Sequence, residues 1–148
     1  MRGADSCFSV IRRALVVEDA ISESERLKSL VERRDVQVTC VDASVKAQSL
    51  LATEQFDLVL CDWQLPGENG LAICRAVSAL EDGDRPYFIM VTGRSQRVDM
   101  VAAMDAGADD FLEKPLWHET LRVRLKLADQ ILGWRRAAAL AATPGSVI

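Results

Sequence analysis

A single histidine, His118, is all that the chain offers in 148 residues. That scarcity excludes a histidine-rich metal site and any catalytic scheme that needs two imidazoles. The four cysteines, Cys7, Cys40, Cys61 and Cys74, form no C-x-x-C pair, and three of them fall within predicted strands or a helix. Reduced, buried thiols in a cytoplasmic protein fit that placement better than disulfides or a zinc site. No run is apolar and long enough to span a bilayer. Arg12 and Arg13 fall where a signal peptide would need its apolar core to grow. The chain has no glycine-rich phosphate loop, which excludes a kinase-type ATP site, and no internal repeat. Basic residues number 18 against 22 acidic ones, a net charge of −4, which argues against direct nucleic-acid binding.

What is present is an alternation of strand and helix patterns, repeated five times. Ala14–Val17 is a short apolar strand, followed by a helix that Ser22 and Glu25 could cap at capping-box spacing and that runs to about Arg34. Val36–Val41 alternates and is β-branched, hence a second strand; Ser44–Thr53 is a helix. Leu58-Val59-Leu60-Cys61 reads as a strand buried on both faces, as in a parallel sheet. A third helix spans about Leu71–Leu80, a fourth strand Tyr87–Val91, and a fourth helix Gln96–Asp105, stopped by Ala106-Gly107. Asp110–Leu112 is a short fifth strand, and Trp117 opens the fifth helix. Such alternation implies an α/β fold: a doubly wound, five-stranded parallel sheet with helices on both faces. The natural strand order is 2-1-3-4-5, the flavodoxin-like arrangement, with ligand chemistry where the winding reverses between strands one and three.

The strand ends carry the chemistry. Strand one ends in Glu18-Asp19, strand three in Asp62, strand four in Thr92-Gly93, and strand five near Lys114-Pro115. Taken alone, Asp62 is a nucleophile, a metal ligand or a loop-capping carboxylate before Pro66, Gly67, Asn69 and Gly70. Carboxylates gathered at adjacent strand ends are costly unless a cation lies between them. Oxygen ligands without cysteine or histidine suit Mg2+. A lysine and a threonine beside them can hold a phosphoryl group, one by charge and one by a hydroxyl hydrogen bond. The set points to phosphoryl transfer onto a carboxylate.

These stretches resemble the receiver domain of bacterial two-component response regulators, the chemotaxis-regulator-like type. The matching segments are Leu15–Asp19, Asp57–Gly70, Val91–Gly93 and Ala106–Pro115, within a span from about Leu15 to about Leu132. The resemblance implies that Asp62 accepts a phosphoryl group from a histidine kinase or a histidine phosphotransfer protein. It implies Mg2+ held by Glu18, Asp19, Asp62 and the backbone carbonyl of Gln64. Thr92 and Lys114 would contact the phosphoryl oxygens, Thr92 and Phe111 would form the switch, and Lys114-Pro115 would be a cis peptide. A homodimer would use either the face of the fourth helix, fifth strand and fifth helix or the extended C-terminal helix. The protein would be a switch rather than a turnover enzyme. Glu18 replaces the more usual aspartate, Trp63 is bulky beside the acceptor, and Gln64 and Arg94 stand where the family tunes phosphoryl lifetime.

The resemblance divides the chain into an N-terminal extension (1–13), the receiver domain (14–133) and a helical extension with a flexible tail (134–148). Leu121, Leu125, Ala128 and Leu132 keep helical spacing, and the pattern continues to Ala142. A helix over Trp117–Ala142 would be roughly 39 Å long at about 1.5 Å per residue, so its end should project from the body. After Leu132 too few residues remain for a DNA-binding domain, so the expectation is either a stand-alone receiver that controls a partner or a fragment of a longer protein in which this helix leads to a fused output domain. Two other readings share the fold. An aspartyl phosphatase of the haloacid dehalogenase type needs an acid two residues past its nucleophile, where this chain has Gln64. A non-phosphorylated, receiver-like protein-binding module is the other; a flavodoxin-like version of it that holds a flavin would need a phosphate-binding loop after strand one, where Glu18-Asp19 would repel a phosphate.

Overall fold

The computed structural model describes residues 8–32, 34–93 and 97–142; Cys7, Arg94 and the tail after Ala142 lie outside the described residues. In chain order the elements are β1 (Arg13–Val17), α1 (Ile21–Glu32), β2 (Gln37–Val41), α2 (Ser44–Thr53), β3 (Leu58–Asp62), β4 (Gln64–Leu65), β5 (Glu68–Asn69), α3 (Leu71–Ser78), β6 (Tyr87–Thr92), α4 (Arg97–Asp105), β7 (Asp110–Glu113) and α5 (His118–Ala142). The main sheet is parallel, in the order β2-β1-β3-β6-β7. This is the doubly wound order expected from the sequence, with β6 and β7 as its fourth and fifth strands.

Strand periodicity divides the core into two layers. Ala14, Val16, Leu58, Leu60, Tyr87, Ile89 and Val91 face α1 and α5. Leu15, Val17, Val59, Cys61, Phe88 and Met90 face α2, α3 and α4. The three central strands therefore bury both faces, which explains their unbroken apolar runs. Cys61 and Cys74 are buried free thiols, whereas Cys40, on edge strand β2, is exposed. Burial pushes the Cys74 thiol up to about 11 and the Cys61 thiol well above its ordinary value.

Three local expectations differ from the structure. Ser22 does not cap the first helix. The Ala20 carbonyl already accepts the Ser24 N–H at 2.9 Å, so the helix starts one turn position earlier and Ser22 lies inside it. The segment after Asp62 is not an irregular loop. Gln64–Leu65 and Glu68–Asn69 pair as a small antiparallel hairpin, closed by Pro66-Gly67 with Gly67 at φ 80°, the type II turn pattern that needs glycine there.

The end of α5 also does not simply project. Trp134 and Leu140 are 70% exposed, but Arg135 pairs with Asp109 at 2.5 Å and Arg136 with Asp57 at 2.7 Å. These acids lie at the amino ends of β7 and β3 and draw the helix back against the body.

The segment before β1 is anchored by one side chain. Asp129 on α5 accepts the backbone N–H groups of Ser9 (2.9 Å), Val10 (2.8 Å) and Ile11 (2.8 Å). Phe8 and Ile11 are thereby held in the core beside Leu125 and Leu132. Hydrogen bonds to a charged acceptor contribute about 1.5–3 kcal/mol each where they cannot be replaced by water. Asp129→Ala is expected to lower unfolding stability by roughly 2–3 kcal/mol with an unchanged denaturant slope. Urea denaturation checks this, and a loss below about 0.5 kcal/mol would show that the anchor is idle.

Candidate functional site at the carboxyl edge of the sheet

β1 and β3 are neighbours in register, Val17 opposite Cys61, so the residues that follow them emerge side by side. The structure brings Glu18, Asp19 and Asp62 together: one carboxylate oxygen from each lies within 4.8 Å of the others. Among the described residues this is the group of acids placed to hold a cation. The three environments differ. Glu18 is 3% exposed, its Oε1 accepting the Ala20 N–H at 3.1 Å. Asp62 is partly buried at the end of its strand, and Asp19 is exposed.

Lys114 reaches into the cluster from the end of β7. Its Nζ donates to Glu18 Oε2 at 2.8 Å and to Asp62 Oδ2 at 3.2 Å. The peptide bond that follows, Lys114–Pro115, is cis. The Lys114 N–H donates to the Thr92 carbonyl at 2.7 Å, which fixes where the lysine leaves the sheet. Burial raises the Glu18 carboxyl, and the nearby Asp62 charge adds to that, outweighing the lowering by Lys114 and by the Ala20 N–H. For Lys114 burial acts to lower the ammonium, yet its pairing with Glu18 and Asp62 outweighs that and leaves it raised. One lysine stands among three crowded carboxylates. A hard divalent cation fits the all-oxygen donor set that remains.

Thr92 ends β6 and is buried. Asp62 pairs in register with Val91, so Thr92 stands one residue beyond the partner of the acid. Gln64 is exposed, and its N–H donates to Asp62 Oδ1 at 3.3 Å. Phe111 lies in β7 opposite Met90 and packs, partly buried, against the core layer that includes Ala103 of α4. Thus Glu18, Asp19, Asp62, Lys114 and Gln64 meet at one edge, with Thr92 adjoining them and Phe111 set back along β7.

Sequence reasoning treated Gly70 only as a loop breaker. Its role is space. A Cβ there would lie 2.7 Å from the Asp62 carbonyl oxygen and 3.0 Å from both Cys61 Sγ and Met90 Sδ. The Gly70 N–H also donates to the Trp63 carbonyl at 2.7 Å, closing the hairpin against β3. Glu68 in turn accepts the Ser44 hydroxyl at 2.8 Å, tying the hairpin to the start of α2. Its dihedrals are ordinary helical ones, φ −67° and ψ −9°, so the position needs the missing side chain and not the backbone freedom of glycine.

A sequence model described as the response regulator receiver domain matches residues 14–126. The chain is 35% identical over 112 residues to the TorCAD operon transcriptional regulatory protein TorR of Escherichia coli (strain K12), covering 76% of this chain and 47% of that protein. It is 34% identical over 118 residues to the DNA-binding response regulator MtrA of Mycobacterium leprae (strain TN), covering 78% of this chain and 51% of that protein. The chain thus spans about half the length of these curated relatives.

Solved structures agree on the fold. A signal receiver domain of a putative Luxo repressor protein from Vibrio parahaemolyticus superposes with a TM-score of 0.78 at 22% identity, covering 87% of this chain and 98% of that one. A CheY-like response regulator receiver domain from Methylobacillus flagellatus gives 0.69 at 28% identity, covering 80% and 98%.

Gly70→Ala is expected to cost roughly 1–3 kcal/mol of stability, because backbone oxygen cannot move aside as a flexible side chain can. Chemical denaturation measures it; a neutral substitution would mean that the hairpin does not press on Asp62.

Proposed function

The chain belongs to the response regulator receiver domain family, and on that premise we propose that it is a phospho-accepting signalling switch with Asp62 as the acceptor. The observation that supports this best is the cluster itself. Three carboxylates crowd within 4.8 Å, and Lys114 bridges two of them. Glu18 and Asp62 each accept one backbone N–H, but they also share Lys114 and crowd against Asp19, a concentration of charge that loop capping alone does not call for.

The donor is a phosphohistidine on a histidine kinase or a histidine phosphotransfer protein. An Asp62 carboxylate oxygen attacks phosphorus, the P–N bond breaks, a P–O bond forms, and the electron pair of the broken bond returns to the imidazole nitrogen. Lys114 holds charge beside the acceptor oxygen, and its competing bond to Glu18 keeps it at the site before transfer. Glu18, Asp19, Asp62 and the Gln64 carbonyl are the residues that would hold Mg2+. The ion would offset negative charge on the phosphoryl oxygens and on the acids.

Phosphorylation places new acceptors and extra negative charge beside Thr92. The Thr92 hydroxyl turns toward them, and the space it vacates admits Phe111. This biases two packings of the α4, β7 and α5 face. Such a domain takes up one phosphoryl group per event and is not a turnover enzyme.

The reading extends to partners and place. No helix among the described residues is long and apolar enough to cross a membrane, in keeping with a cytoplasmic role. The outer side of α5 presents Val123, Leu127, Ile131 and Trp134, all exposed, a stripe at helical spacing suited to a second copy of the chain. α4 adds the exposed Met100, Val101 and Met104.

Incubation with acetyl phosphate and Mg2+ should add one phosphoryl mass to the intact protein. The gain should require Mg2+ and vanish in Asp62→Ala. No gain in the wild type, or an equal gain in the variant, would sink the assignment.

A further inference from the structure

α5 is one continuous helix, but two different forces hold it. As far as Leu132 its inner side chains, Leu121, Leu125, Ala128 and Leu132, are sealed in the core. Gly133 follows. Its missing side chain makes room for Val10: a Cβ would lie 3.2 Å from Val10 Cγ2. Glycine within a helix weakens it at that point. Beyond Gly133 the large apolar side chains, Trp134 and Leu140, point to solvent.

What fastens this last part is charge. Arg135 Nη2 meets Asp109 Oδ1 at 2.5 Å, with its guanidinium 5.8 Å from the Tyr87 ring centroid. Arg136 Nη1 meets Asp57 Oδ1 at 2.7 Å.

The fastening is poised for release. Among the described residues Arg135 Nη1 and Arg136 Nε and Nη2 are buried with no hydrogen-bond partner, a cost carried only while the helix is docked. The two acids, by contrast, do not depend on the arginines. Asp57 Oδ2 accepts the N–H groups of Arg12 and Arg13 at 2.8 and 2.9 Å, and Asp109 Oδ2 accepts the Phe88 N–H at 2.9 Å. Breaking a buried ion pair is costly mainly because it strands a charge. Here the carboxylates keep their backbone donors, and the arginines, already partly exposed, gain water.

We propose that Arg135 and Arg136 form a releasable latch, with Gly133 as its hinge, that holds the last turns of α5 against the amino ends of β3 and β7. The latch decides whether residues 134–142 stay docked against the sheet or come away from it. The inference rests on packing and hydrogen bonding at the edge of the sheet opposite Asp62, and it stands whether or not Asp62 is phosphorylated.

Hydrogen exchange read by mass spectrometry on the full chain tests it. In R135Q/R136Q, amides of residues 134–142 should exchange about tenfold faster or more, while those of 121–132 keep their wild-type protection. Unchanged exchange at 134–142 would overturn the latch. Acceleration spread evenly through 121–132 would overturn it too, by making the pairs general supports of the fold. A second measurement needs no variant. Raising NaCl from about 50 mM to about 1 M should accelerate exchange at 134–142 selectively in the wild type, since salt screens partly exposed pairs. Equal exchange at both salt concentrations would contradict the charge-held state.

Discussion

Three carboxylates within 4.8 Å of one another, with a single lysine between two of them, are the constraint to which the carboxyl edge of this sheet is built. Each flanking feature serves that crowding. Parallel pairing of β1 with β3 brings Glu18 and Asp62 out side by side. The Lys114 N–H bond to the Thr92 carbonyl fixes the exit of the lysine. Gly70 lets the hairpin fold against the Asp62 carbonyl, where any side chain would collide. Burial and the Asp62 charge raise the Glu18 carboxyl even though a lysine donates to it.

The opposite edge uses the same residue type to a different end. Asp57, Asp109 and Asp129 all accept backbone N–H groups, and two of them also bind arginines of α5. Acids satisfied in this way close and anchor a fold. At the carboxyl edge Glu18 and Asp62 also accept one backbone N–H each, but there a third carboxylate crowds against them and one lysine serves both. Exposure does not distinguish the two settings, because Asp62 and Asp109 are both only partly exposed; what differs is that Asp62 lies among other carboxylates and Asp109 against an arginine.

How much of this was legible in the sequence follows from the length scale of each signal. The central strands announced themselves, since β3 and β6 are buried on both faces and must be apolar throughout. The types of residue at the strand ends were equally readable, because the parallel order puts every carboxyl end on one edge. The Gln64–Asn69 hairpin was not, as two-residue strands carry no period. The Ser22 cap failed because the helix begins with the Ala20 carbonyl, and a capping-box pattern inside the first turn looks the same on paper. The docking of α5 was hidden most deeply. Asp57 and Arg136 are 79 positions apart, and nothing local marks two arginines in an alanine-rich stretch as partners of acids beneath the sheet. Phe8 and Ile11 were missed for a related reason: their burial depends on Asp129, more than a hundred residues away.

The most direct test of the central claim is equilibrium unfolding with and without Mg2+. A ligand that binds only the folded protein raises stability with its concentration. The urea midpoint of the wild type should therefore rise with added Mg2+. Asp19→Asn and Asp62→Asn, which relieve repulsion, should raise the metal-free midpoint and abolish the Mg2+ response. A wild-type midpoint that is the same with and without Mg2+ would contradict the claim that these three acids are built around a cation.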